Sequence, residues 1–211
     1  TNVAIGSNAG NDLTTGSGNV AVGADAMWFS SATSASNVAI GNGAGAGLTG
    51  SFNVLLGVNA GRSAVASGMI ALGTNAANLS TASDTVAIGR TALPALTSGI
   101  NNIGIGAETL LTTAPGYSNI AIGFAALRTM GDAEVPFVSD LKGTGNIAIG
   151  VSALYATTTG FENIAIGAPN ALISNTTGNT NTAIGSEVMA NNTTGNGNSA
   201  YGVAALQANT T

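Results

Sequence analysis

The chain has no cysteine and no histidine. The first absence excludes a disulfide framework and any thiolate metal site. The second removes the commonest general base and the commonest transition-metal ligand. Charge is scarce as well: 6% of residues are charged, against roughly 25% in an ordinary soluble domain. The only basic residues are Arg62, Arg90, Arg128 and Lys142. So few cations cannot build a phosphate-neutralising patch, so nucleic acid is excluded as a partner. Aromatics make up 4%, too few for a core built on large rings. No apolar run approaches the roughly 18 residues of a membrane span, so no membrane insertion is expected within this segment. The sequence shows no initiator Met and no signal peptide, and we expect it to be part of a longer fibre.

What is there is small, neutral and periodic. Glycine accounts for 31 of the 211 residues, and Asn, Thr, Ser and Ala fill most of the remainder. One phrase, Asn-Val-Ala-Ile-Gly or a near variant, starts at Asn2, Asn19, Asn37, Asn53, Met69, Thr85, Asn102, Asn119, Asn146, Asn163, Asn181 and Asn198. Successive starts are nearly evenly spaced, with one long step between Asn119 and Asn146. A period this short and regular marks one supersecondary unit stacked on its own copies. The expected fold is all-β, a parallel β-roll or β-solenoid of about twelve ~17-residue rungs in a single domain over residues 1–211.

Within the phrase the second position is Val or Ile in ten copies and the fourth is Ile, Val or Leu in eleven. β-Branched residues at alternating positions make a strand. Ala stands between them in ten copies, with Leu55 and Gly104 as exceptions. Alternation puts this Ala on the opposite strand face. We expect Val and Ile to fill the coil and Ala to face outward. Both faces are then apolar, and a coil of this size covers only one of them. A homo-oligomer, foremost a homotrimer, is expected to cover the other. Glycine closes every copy, as a corner with positive φ or too close an approach for a Cβ. A small residue, usually Ala, follows three positions later, and then Gly or Leu. This pair is expected to form a second, shorter strand before a Thr/Asn/Gly turn returns the chain. The phrase-opening Asn either forms an amide ladder at one corner or serves only as a turn former.

The phrase, followed by x-x-Ala, resembles the head repeats of trimeric autotransporter adhesins of the YadA-like type. The fuller unit, from Asn181-Thr182-Ala183-Ile184-Gly185 to Asn192-Thr193-Thr194-Gly195-Asn196, is similar to repeats of phage tail fibres and bacterial surface fibres. The resemblance covers nearly the whole chain. It implies a left-handed β-roll with three rolls side by side, a location at the cell surface or on a virion fibre, and attachment to a cell-surface or host receptor, such as a glycan. The adhesin repeat is usually shorter than the unit found here, so longer outer turns are expected. Neither the neck nor the anchor of such adhesins is expected within residues 1–211.

Other readings fit less well. Calcium-binding β-rolls need Gly-Gly-x-Gly-x-Asp in each coil, which nine carboxylates cannot supply. Hexapeptide acyltransferases have three equivalent faces per coil and usually a catalytic His. Ice-binding solenoids need a flat Thr array, whereas the Thr residues here gather in turns. An extracellular filament subunit stacking head to tail is the principal alternative, since no polar capping rung is evident. No cofactor or metal is expected, nor is catalysis, because Glu108, Glu162 and Glu187 are scattered over different rungs.

Departures from the period are the candidate binding sites. The long step places an inserted loop at residues 129–145, with Asp132, Glu134, Phe137, Asp140 and Lys142 as candidate partner-binding residues; insertions in solenoids often carry binding. Its alternative role is a cap between protomers with Phe137 as plug. Trp28 and Phe29 form the only adjacent aromatic pair. Exposed, they would stack on a sugar ring or clamp a partner; tucked over the coil edge they would form a lid, which is the reading we favour from sequence. Phe52, Tyr117 and Phe161 precede phrase starts and are expected to cover one corner.

Overall fold

The computed structural model describes residues 1–31, 33–95, 99–111, 116–129 and 143–211. It is an all-β parallel β-solenoid with one rung per phrase. The chain divides into two compact units, Thr1–Thr97 and Ser98–Thr211. The first unit holds β1 (Val3–Ile5), β2 (Val20–Val22), β3 (Val38–Ile40), β4 (Val54–Leu56), β5 (Ile70–Leu72) and β6 (Val86–Ile88). The second holds β7 (Ile103–Ile105), β8 (Ile120–Ile122), β9 (Ile147–Ile149), β10 (Ile164–Ile166), β11 (Thr182–Ile184) and β12 (Ser199–Tyr201). Within each unit successive strands pair in parallel, copy on copy: Val3 faces Val20, and Ile164 faces Thr182. The long step does not disturb this register, since Ile120 pairs with Ile147 and Ala121 with Ala148.

The direction of the side chains reverses the expectation. The middle residue is buried in every strand except β1, and the flanking Val and Ile are half-buried or exposed. Ala, not Val or Ile, lines the coil. The reason is volume. A coil this flat has room for about one large side chain per rung, and the wall opposite the strand supplies it: Met27, Leu93, Leu127, Leu154, Leu172 and Met189 are all fully buried. The strand wall must then be small. Rung 4 is the mirror case. There Leu55 comes from the strand, fully buried, and the opposite position is Gly61, where a Cβ would lie 2.6 Å from Leu55 Cδ2. In rung 3 both walls are small, Ala39 and Gly45, and the space is filled from either side: a Cβ on Gly45 would meet Leu55 Cδ1 at 3.0 Å and Met27 Cγ at 3.4 Å.

That opposite wall is not the second strand expected from the sequence. Among the described residues each rung has one strand. The wall is a run of turns in which alternate residues are left-handed, as at Asp25 (φ 57°), Met27 (φ 52°) and Phe29 (φ 54°). Alternate N–H groups go to opposite neighbours, while those between them close local turns, as Ala26 N–H does onto Gly23 O and Trp28 N–H onto Asp25 O. The Asp25 N–H donates to Ser7 O of the rung before (2.8 Å), and the Met27 N–H donates to Ala44 O of the rung after (2.8 Å). The backbone is thus satisfied without a pleated strand. Placing Leu or Met in the left-handed region carries a backbone cost, offset by its burial in the coil.

The corner glycine behaves as expected. All twelve phrase-closing glycines have φ between 113° and 152°. At Gly123 a Cβ would lie 2.6 Å from the carbonyl oxygen of Gly150 in the next rung, so both positive φ and close approach exclude a side chain.

The amide ladder is present. Asn119 Nδ2 donates to Asn102 Oδ1 (3.0 Å) and to Gly143 O (2.7 Å), and Asn119 Oδ1 accepts from the backbone N–H of Asn146 (2.9 Å). The same arrangement joins Asn2, Asn19, Asn37 and Asn53 in the first unit. Each amide closes its own coil through a carbonyl and links it to its neighbour. Asn37, Asn53, Asn119, Asn146, Asn163 and Asn181 are fully buried, so these bonds form away from competing water. A second, shorter ladder runs through Asn175, Asn192 and Asn209.

Candidate functional site

With Ala turned inward, each unit presents its larger aliphatic side chains to solvent. Two columns run along the outer face of the strands, one from the second phrase position and one from the fourth. In the first unit Val3, Ile5, Ile40, Val54, Leu56 and Ile70 are exposed; in the second, Ile105, Ile184 and Tyr201 are. The position after the corner glycine extends this face with exposed Val58 in the first unit and Phe124, Val151 and Val203 in the second. Side chains in one column repeat about every 4.8 Å, which makes a contiguous apolar surface instead of scattered exposed residues. Sequence reasoning anticipated an uncovered apolar face but assigned it to Ala. The signal that would have corrected it is the near-constant Ala against a Leu or Met across the coil, with Leu55 and Gly61 exchanging sizes.

The outer turn of rung 2 carries Trp28 and Phe29. Their rings stack with centroids 4.1 Å apart and planes at 27°. Trp28 is half-buried, whereas Phe29 is 66% exposed, so Phe29 is not tucked over the coil edge as the lid reading requires. Phe52 and Tyr117 are also exposed and do not seal a corner, and Phe161 is half-buried. Asp132, Glu134, Phe137, Asp140 and Lys142 lie outside the described residues.

One polar cluster was not foreseen. Glu108, Arg128 and Tyr155 come from successive rungs of the second unit. Arg128 Nε lies 3.2 Å from Glu108 Oε2, and Arg128 Nη1 donates to the Tyr155 hydroxyl at 2.8 Å. The guanidinium also lies 5.5 Å from the centre of the Tyr155 ring. The cluster staples three turns on the outside, and with both charged side chains a quarter to a third exposed it contributes little to stability. Arg128 and Tyr155 hold the same phrase position, directly after the buried Leu127 and Leu154, so the period does place these two side by side; Glu108 stands three positions earlier in its own rung. Among the described residues no group of three His, Cys, Asp or Glu side chains is placed to hold a metal ion, and no helix is long and apolar enough to cross a membrane.

Neither a protein-family model, nor a curated protein, nor a solved structure matches the chain.

Proposed function

We propose that the chain is a structural and adhesive repeat segment of an extracellular trimeric fibre, of the adhesin-head or tail-fibre kind, that mediates attachment to cell surfaces. The observation that carries this reading is the pair of aliphatic columns on the outer strand face. A repeated two-column face of Val, Ile and Leu is costly to leave in water, at roughly 25 cal/mol per Å² of apolar surface. Three copies that bring these faces together around a threefold axis bury them symmetrically, and closed symmetry leaves no face open to further addition. The attachment role is supported by the likeness of the phrase to adhesin-head and fibre repeats. Catalysis has no support: the chain has no His or Cys, and Glu108, Glu162 and Glu187 stand on different rungs.

Electron microscopy combined with a cell-binding assay tests the reading. Threefold particles of fixed length that bind intact cells are expected. Open-ended polymers would replace it with a head-to-tail filament, and single rods without surface binding would overturn both parts.

A further inference from the structure

We propose that Trp28 and Phe29, together with Asn11 and Asp12 of the preceding rung, form a binding site for a neutral carbohydrate. The inference deepens the attachment reading by naming what would be recognised, but it rests on residues separate from the aliphatic columns.

The geometry is set by register. Asp25 N–H donates to Ser7 O, and Gly10 N–H donates to Ala26 O at 2.9 Å, which places Asn11 beside Trp28 and Asp12 beside Phe29, one rung spacing or about 4.8 Å away. On the other side Gly47 N–H donates to Trp28 O at 2.7 Å, which places Ala46 and Gly47 beside the aromatic pair. That neighbouring rung therefore offers no side chain longer than a methyl at these positions. The ring stack of Trp28 holds Phe29 in place, and two thirds of Phe29 stays in water.

A pyranose has an apolar C–H face and a rim of hydroxyls. The first suits an exposed aromatic plane; the second suits planar amides and carboxylates that donate and accept in pairs. Asn11 is exposed and Asp12 half-buried, and the single bond between them is long, Asn11 Nδ2 to Asp12 Oδ1 at 3.4 Å. That bond uses only part of their hydrogen-bonding capacity. Charge decides the class of sugar. No Lys or Arg precedes Arg62, which belongs to rung 4, while Asp12 and Asp25 both lie on the two rungs of the site. A sialylated or sulfated glycan would meet carboxylates with no cation on either rung, so the ligand is neutral.

Trp28 is the only tryptophan, so its fluorescence reports on this site alone. The wild-type chain, Phe29→Ala and Asp12→Ala are applied to a printed panel of neutral, sialylated and sulfated oligosaccharides. The best neutral probe is then titrated against Trp28 emission. Expected are saturable binding to a neutral oligosaccharide, a matching change in emission, and at least a tenfold loss of affinity in both variants. Phe29→Ala should remain folded, because the equivalent position in the next rung is Gly47, and circular dichroism checks this. Retention of no neutral glycan, preference for acidic glycans, or equal affinity in folded variants would overturn the site. A trimeric chain that still binds cells after Phe29→Ala would overturn this site and leave the fibre reading standing. A monomeric chain that binds a neutral glycan through Phe29 would do the reverse.

Discussion

Single residues in this solenoid are chosen by the space between two walls. Leu55 on the strand and Gly61 opposite occupy what Ala87 and Leu93 occupy two rungs later. Leu55→Ala is expected to cost about 2–5 kcal/mol by opening a cavity against Gly45 and Gly61. Gly61→Leu alone is expected to overpack against Leu55 by about 1–3 kcal/mol. The double substitution recreates the arrangement of rung 6, where Leu93 adopts φ 44°, and should recover more than half of the Leu55→Ala loss. Urea denaturation at one protein concentration measures all three. Simple additivity of the two losses would contradict the volume argument. The corner glycines were legible from the sequence because steric exclusion of a Cβ leaves one residue type. The inward and outward faces were not, because hydrophobicity favours Val and Ile inside and only the size of the opposite residue argues for Ala.

At the scale of the element, the rung is closed by side-chain amides as much as by strands, which are only three residues long. Asn119→Ala would leave Gly143 O and the Asn146 N–H without this partner in a buried corner, and would remove one of the two bonds to Asn102 Oδ1, which keeps the Asn119 backbone N–H. At about 1–3 kcal/mol for each of these two groups, a loss of at least about 2 kcal/mol is expected. Asn2, exposed at the same phrase position, has water to replace its bonds, and Asn2→Ala should cost under about 1 kcal/mol. Chemical denaturation of the two variants separates the cases, and equal losses would reduce the ladder to a set of turn formers. The period foretold the strand of the phrase and the Asn corner correctly. The second strand was a misreading with a physical cause: a short run of small and apolar residues reads alike for a pleated segment and for turns of alternating handedness, although in these turns adjacent residues such as Ala92 and Leu93 are both buried. The left-handed Leu and Met residues, such as Leu127 (φ 48°) and Met189 (φ 47°), break the propensity rule that would have flagged them.

At the scale of the whole molecule, the repeat announced the solenoid from sequence alone, because so short a period admits few other architectures. The interaction surfaces were less legible. The apolar face was foreseen on the wrong side chains, and Trp28 and Phe29 were read foremost as a lid over the coil edge, whereas Phe29 is 66% exposed. The central claim is that the outer aliphatic columns are covered by other copies of the chain. Multi-angle light scattering on the wild type and on Ile105→Lys/Ile184→Lys tests it most directly. Both residues are 37% exposed, so a lysine ammonium at either position can reach water, and circular dichroism checks that the variant stays folded. The account predicts a wild-type mass about three times the 20.2 kDa of the chain and a folded variant at the monomer mass. A wild type at the monomer mass, or a variant that remains trimeric, would contradict it.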